Sequence, residues 1–178
     1  MNRQPHADDV LDRARVADTV AAFALALDAR NVDAAVGLLA DRVSWDYESV
    51  TGRPAAELNR EDLAARWRAT LLHTDASQHF LSLPHIRIDG ERAVCEVHAR
   101  VEVRLANTGG SHSGVTHGTY TFGLTRSEAA SGPSASTSSG SGSGSGSGWR
   151  IDSVTMGLLW NDGNPRIMEL AAEKGAQG

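Results

Sequence analysis

The 178-residue chain carries seven histidines and one cysteine, and these are the first groups to weigh for chemistry. An unperturbed histidine titrates near pH 6.5, which makes it the natural general base at neutral pH. Position sorts the seven. His6 lies in a polar tail. His73 ends a helical stretch, where a cation suits the helix dipole. His85 opens a short strand after Pro84. His98 sits between Glu96 and Arg100 on a strand face that is nearly all charged, which suits solvent or a subunit contact. His112 and His117 flank a Gly-rich turn, and His117 is the reserve candidate, at the mouth of the sheet. His79 stands on a strand of its own, residues 78–83. The chain has no HExxH, CxxC or close His-x-His spacing, so no metal site is expected. Cys95 belongs to an apolar alternating set and reads as an inert buried thiol. Ser-Gly pairs abound in one low-complexity segment and form no nucleophile elbow.

The elements that must position these groups are legible in outline. Val16, Val20, Phe23 and Leu27 recur at helical spacing and predict a helix running to about Asp28, with Asp12, Arg13 and Arg15 as solvated positions. Asn31 can cap a second, short helix through Leu39. Residues 43–47 read as a strand. Asn59 followed by Asp62 predicts a further cap, and Leu63, Trp67 and Leu71 lie on one helical face. Strands then dominate. Residues 85–88 form one that ends in an Asp89-Gly90 turn. Residues 93–105 alternate strictly, with Ala93, Cys95, Val97, Ala99, Val101, Val103 and Leu105 against a nearly all-charged face. Residues 119–126 and 149–160 are two more strands. The Ser/Gly-rich segment 127–148 lies between them and reads as the disordered, swollen tip of a hairpin within a single domain. Asp162-Gly163-Asn164-Pro165 is a turn before a short helix through Glu173. Helices followed by a run of antiparallel strands mean an α+β protein.

Bulk properties narrow the function. A net charge of −5 with scattered Lys and Arg gives no footprint for nucleic acid or an anionic membrane. No apolar run reaches the roughly 20 residues of a membrane helix, and no signal peptide is visible. One cysteine fits a reducing compartment, so a cytoplasmic protein is expected. Trp45 and Tyr47 are two apart and share a strand face. With Trp67 they suggest an aromatic-walled pocket for a flat or cyclic apolar molecule.

Three strings carry a resemblance. "ALDARNVDAAVGLLADRVSWDY" resembles the opening of the SnoaL-like (polyketide-cyclase-like) branch of the nuclear transport factor 2-like superfamily. "TDASQHF" is similar to the strand bearing the catalytic histidine in scytalone dehydratases and hexachlorocyclohexane dehydrochlorinases. "GWRIDSVTMGLLW" resembles the last strand of the branch. The resemblance implies a cone-shaped, curved antiparallel or mixed sheet with the N-terminal helices on its concave face. It implies a lyase, isomerase or cyclase that needs no cofactor, and a homodimer, with trimers also known, built on the outer sheet face of Arg100 and Glu102. It places Asp28 on the acidic partner, His79 on the base, and Tyr47 on a tyrosine that holds a water at the substrate carbonyl. It sets Phe23, Trp45, Trp67, Val101, His117 and Met156 around the substrate. Phe23, Leu27 and Val154 stand where relatives carry polar or charged groups, which argues against dechlorination.

Each residue also has a plainer reading. Asp28 can close a helix and meet Arg30, His79 can be a core histidine, and Tyr47 can be packing. As a matched set they point to proton transfer, with the carboxylate fixing the imidazole tautomer. The rival class is a non-catalytic ligand-binding or dimerisation module, because fold does not fix function.

Overall fold

A computed structural model describes residues 7–127 and 148–177, so most of the Ser/Gly-rich segment expected as a hairpin tip lies outside the described residues. In chain order, α1 (Ala7–Asp28) and α2 (Val32–Val36) precede β1 (Leu39–Asp46). Then come α3 (Glu48–Thr51), β2 (Ala56–Asn59) and α4 (Arg60–Thr70), with a 3-10 turn at Leu71–His73. β3 (Ala76–Leu81), β4 (His85–Asp89), β5 (Arg92–Arg104), β6 (Ser113–Arg126) and β7 (Trp149–Gly163) follow, and α5 (Ile167–Ala176) ends the chain. The seven strands form one sheet in the order β2-β1-β7-β6-β5-β3, with β4 also paired to β5. The β1–β7 pair is parallel and the others are antiparallel. This is the mixed, curved α+β sheet the resemblance implied.

The spacing in α1 does what it predicts. Val16, Val20, Phe23 and Leu27 are all buried against the sheet, each contributing about 1.5–3 kcal/mol on full burial. The caps hold as well. Asn31 Oδ1 accepts from Ala34 N–H and Asn59 Oδ1 from Asp62 N–H, at 3.1 and 2.8 Å. α2 stops at Val36, short of the expected Leu39, because Leu39 already pairs with Ile151 of β7. On β5, Ala93, Cys95, Val97, Ala99 and Val103 are buried, as the alternation requires.

Asp12 departs from the expectation of a solvated position. It is 9% exposed. Its carboxylate accepts from Arg126 Nη1 and Nη2 at 3.1 and 2.6 Å, and Arg126 lies over the Trp149 ring at 4.6 Å. The hydrogen bond from Arg126 holds the Asp12 carboxyl below its ordinary value despite burial. α1 is thereby tied to the outer ends of β6 and β7. A partner 114 positions away is invisible to local patterning.

β6 and β7 come close together at Gly118, where a β-bulge shifts the register after His117. A Cβ there would sit 2.2 Å from the Gly157 carbonyl oxygen, so only glycine fits. Tyr120 and Phe122, two and four residues on, share the inward face.

Candidate active site

α1 ends in a Schellman-type turn that sets the first group of the site. Arg30 N–H donates to Leu27 C=O and Asn31 N–H to Ala26 C=O, both at 2.9 Å, with Arg30 in the left-handed region at φ 55°. Arg30 does not meet Asp28; its guanidinium donates to the Thr74 carbonyl, 3.0 Å away. Asp28, the last helical residue, is left facing β3. A carboxylate at a helix C-terminus opposes the dipole, so this position contradicts local preference, as functional positions often do.

β3 supplies what offsets it. Ser77, His79 and Leu81 point inward and alternate with exposed neighbours. The His79 backbone N–H, on the open edge of the strand, donates to Asp28 Oδ2 at 2.7 Å. The His79 ring Nδ1 lies 2.6 Å from Oδ1, and the Ser77 hydroxyl donates to the same oxygen at 3.3 Å. Burial works to raise the Asp28 pKa, but the three hydrogen bonds and the nearby imidazole outweigh it and the net shift is downward. Asp28 is therefore an anion at neutral pH and accepts only. The proton between the two side chains then belongs to Nδ1, so in the neutral imidazole it is Nε2 that carries the lone pair.

A depressed carboxylate pKa stabilises the fold above the unfolded value and loses that contribution as pH falls through the folded value. The stability advantage of wild type over Asp28→Asn is expected to persist down to the ordinary Asp value of 3.8 and to shrink below it. Paired thermal melts below about pH 4 check this; an advantage that keeps growing as pH falls below 3.8 would contradict it.

His79 opens on a cavity of about 600 Å³ between the helices and the sheet, within the usual size for a small-molecule site. Trp45, Tyr47, Trp67, Val101 and Met156 line it, with Leu27, Leu63, Tyr120 and the rim residues Arg53 and Arg66. Trp45 stacks on Tyr47 at 4.6 Å and 3°, and meets Trp67 edge-on at 5.8 Å. α3 helps seat this wall: Ser49 Oγ donates to the Met156 carbonyl, and Leu158 N–H donates back to Oγ at 3.0 Å. Asp28 sits behind His79 and does not line the cavity.

Two residues expected around the substrate stand elsewhere. Phe23 is 4% exposed and packs beneath Trp67 and against Phe122, so it supports the wall without lining it. His117 lies on the outer sheet face, since strand alternation sends it opposite to Tyr120. It stacks on Trp160 at 4.4 Å, and its Nε2 lies 3.1 Å from Asp162. Two site residues escaped sequence reasoning, Ser77 and Tyr120. Tyr120 was findable: Tyr120, Phe122 and Leu124 alternate with Thr119, Thr121 and Gly123.

Burial, with the Glu96 charge adding, raises the Cys95 thiol to about 11, consistent with an inert buried group. Among the described residues no cluster of three or more His, Cys, Asp or Glu could hold a metal, and no helix is long and apolar enough to cross a membrane.

The curved sheet closed by N-terminal helices has the nuclear transport factor 2-like fold. Residues 8–155 match the model of the SnoaL-like domain, and the chain belongs to that family. No protein of curated function matches it in sequence. Among solved structures it is similar to the Kfla4162 protein of Kribbella flavida, at 23% identity and a TM-score of 0.73 over 89% of this chain and 97% of that one. A candidate scytalone dehydratase of Novosphingobium aromaticivorans matches at 10% identity and a TM-score of 0.66, covering 86% and 88% of the two chains. The LinA-type3 hexachlorocyclohexane dehydrochlorinase of Novosphingobium barchaimii matches at 12% and 0.63, covering 88% and 92%. At these identities the likeness carries the fold alone.

Proposed function

We propose that this chain is an enzyme in which Nε2 of His79 removes a proton beside a carbonyl or leaving group of a flat, largely apolar small molecule. The observation that supports this most is the 2.6 Å contact between the Asp28 carboxylate and His79 Nδ1, with the imidazole facing the cavity. The carboxylate holds the tautomer that presents a lone pair to the substrate and stabilises the imidazolium that forms. The aromatic wall of Trp45, Tyr47 and Trp67 favours a flat or cyclic substrate. The named activities of two structural neighbours, a candidate dehydratase and a dehydrochlorinase, are both eliminations, in which a proton and a neighbouring group leave the substrate. The proton taken by His79 then returns to a leaving hydroxyl, giving dehydration, or to another carbon, giving an isomer or a closed ring. This chemistry needs no group beyond the side chains.

Deuterium wash-in tests the reading without knowledge of the natural substrate. A panel of cyclic aryl ketones, 2-tetralone among them, is incubated with the protein in D₂O and followed by proton NMR, with binding read from tryptophan fluorescence. Exchange at the carbon beside the carbonyl, faster than in buffer, is expected for panel members that bind. Ketones that fill the cavity yet exchange no faster than in buffer would favour a ligand-binding module instead.

A further inference from the structure

Tyr47 and Tyr120 are the two tyrosines of the chain, and their hydroxyl oxygens lie 2.8 Å apart. Two hydroxyls bring two protons, and one hydrogen bond between them uses one. Tyr47 donates to Tyr120, so the Tyr120 proton is left over, and no acceptor for it is found among the described residues. Tyr120 is 5% exposed and lines the cavity. Its ring lies against the His79 imidazole, with centroids 6.3 Å apart and planes within 29°, whereas the Tyr47 ring stacks on Trp45. A buried hydroxyl without an acceptor is costly, and a ligand oxygen beside His79 would complete it.

We propose that Tyr120 is a catalytic residue that binds the oxygen on which negative charge develops. Tyr47 is then a positioning residue that acts through it, and the substrate's reacting part is a flat carbonyl compound able to form an enolate. The proposal rests on His79 acting as the base. His79 Nε2 takes the proton, the C–H bonding pair becomes the new C=C, and the carbonyl π pair moves onto oxygen, where the Tyr120 O–H holds it. Return of that pair re-forms C=O as the C=C pair expels the leaving hydroxyl, which takes the His79 proton and departs as water; without a leaving group, another carbon takes the proton. Charge on that oxygen is greatest between the two steps, so a donor fixed there favours the transition state over the ground state. The acidities agree with this order. Burial raises Tyr120 to about 12 with the Tyr47 hydrogen bond pulling it back down, while for Tyr47 burial and Tyr120 both raise it.

The chain's two tyrosines make the test spectroscopic. Labelling with 3-fluorotyrosine gives two ¹⁹F resonances, assigned through Tyr47→Phe, and 4-nitrophenolate in mildly alkaline buffer serves as a flat oxyanion probe. The Tyr120 resonance is expected to move as the probe binds. Tyr120→Phe is expected to weaken nitrophenolate binding on the order of tenfold, Tyr47→Phe less, and the double variant no more than Tyr120→Phe. Neutral naphthalene, followed by tryptophan fluorescence, is expected to bind all forms equally. Probe binding that leaves the Tyr120 resonance in place would overturn the proposal, as would Tyr47→Phe losing as much affinity as Tyr120→Phe. If Tyr120→Phe does not fold, the titration of the labelled wild type still decides. In His79→Ala the Tyr120 resonance is still expected to move when the probe binds, whatever the change in affinity, so failure of the base and failure of the oxyanion donor show up as different results.

Discussion

His79→Ala is expected to lower the rate of proton abstraction on the order of 10²–10⁴-fold, the usual contribution of a positioned general base. Asp28→Asn should be comparably damaging, for a specific geometric reason. The Asp28 carboxylate accepts twice from one residue, from the His79 backbone N–H and from ring Nδ1–H. An asparagine offers one acceptor oxygen and one NH₂, so one of these contacts becomes donor against donor. Either the imidazole turns to the wrong tautomer or the strand loses its anchor at residue 79. Because the two side chains act as a unit, the double variant should be little worse than either single one. Thermal melts belong beside the rates: His79 and Asp28 are partly exposed at 11% and 18%, so truncation should not unfold the chain. A binding module would behave differently, with modest affinity changes and no rate to lose.

The second large effect concerns the floor of the site. Phe122→Ala is expected to destabilise the protein by about 3–5 kcal/mol, as for other large aromatic side chains deleted from a core. Phe122 is 2% exposed and sits at the crossing of the core aromatics, edge-on to Phe23 at 6.2 Å and against Tyr120 at 5.2 Å. At about 2–4 °C per kcal/mol, the midpoint should fall by on the order of 10 °C. The void lies under Tyr120, so the folded fraction should also show a disturbed Tyr47–Tyr120 contact. A melting point within a degree or two of wild type would mean that the core closes over the gap and that the floor is softer than its packing suggests.

What the sequence reveals and conceals follows from how far each signal reaches. The α1 stripe, the Asn31 and Asn59 caps and the strict alternation of β5 depend on neighbours within a few residues, and all are found where patterning puts them. α3 and β2 are four residues each, too short to show a period, and neither was anticipated. β6 starts at Ser113, six residues before the expected strand, because Val115, Thr116 and His117 pair with β5 although Gly114 and Gly118 interrupt their pattern.

The site divides in the same way. The resemblance drew attention to Asp28, Tyr47 and His79, but their mutual distances depend on long-range pairing, with 51 positions separating the dyad and 73 separating the tyrosines. Tyr120 was overlooked because it sits among threonines and glycines that read only as strand. Its importance appears once β6 is laid beside β5, with Tyr120 opposite Val97 and His79 opposite Val101 on neighbouring strands. His117 failed for the converse reason: a histidine near a turn attracts notice, yet its odd offset from Tyr120 commits it to the outer face.

The central claim, that His79 takes the proton, is tested most directly by deuterium wash-in with His79→Ala beside wild type, using a ketone that both bind equally and adding free imidazole in a second series. The account predicts a well-folded variant whose exchange rate falls at least on the order of 10²-fold and recovers in part as imidazole enters the vacated space. A well-folded His79→Ala protein that binds the ketone and exchanges its proton at the wild-type rate would contradict it.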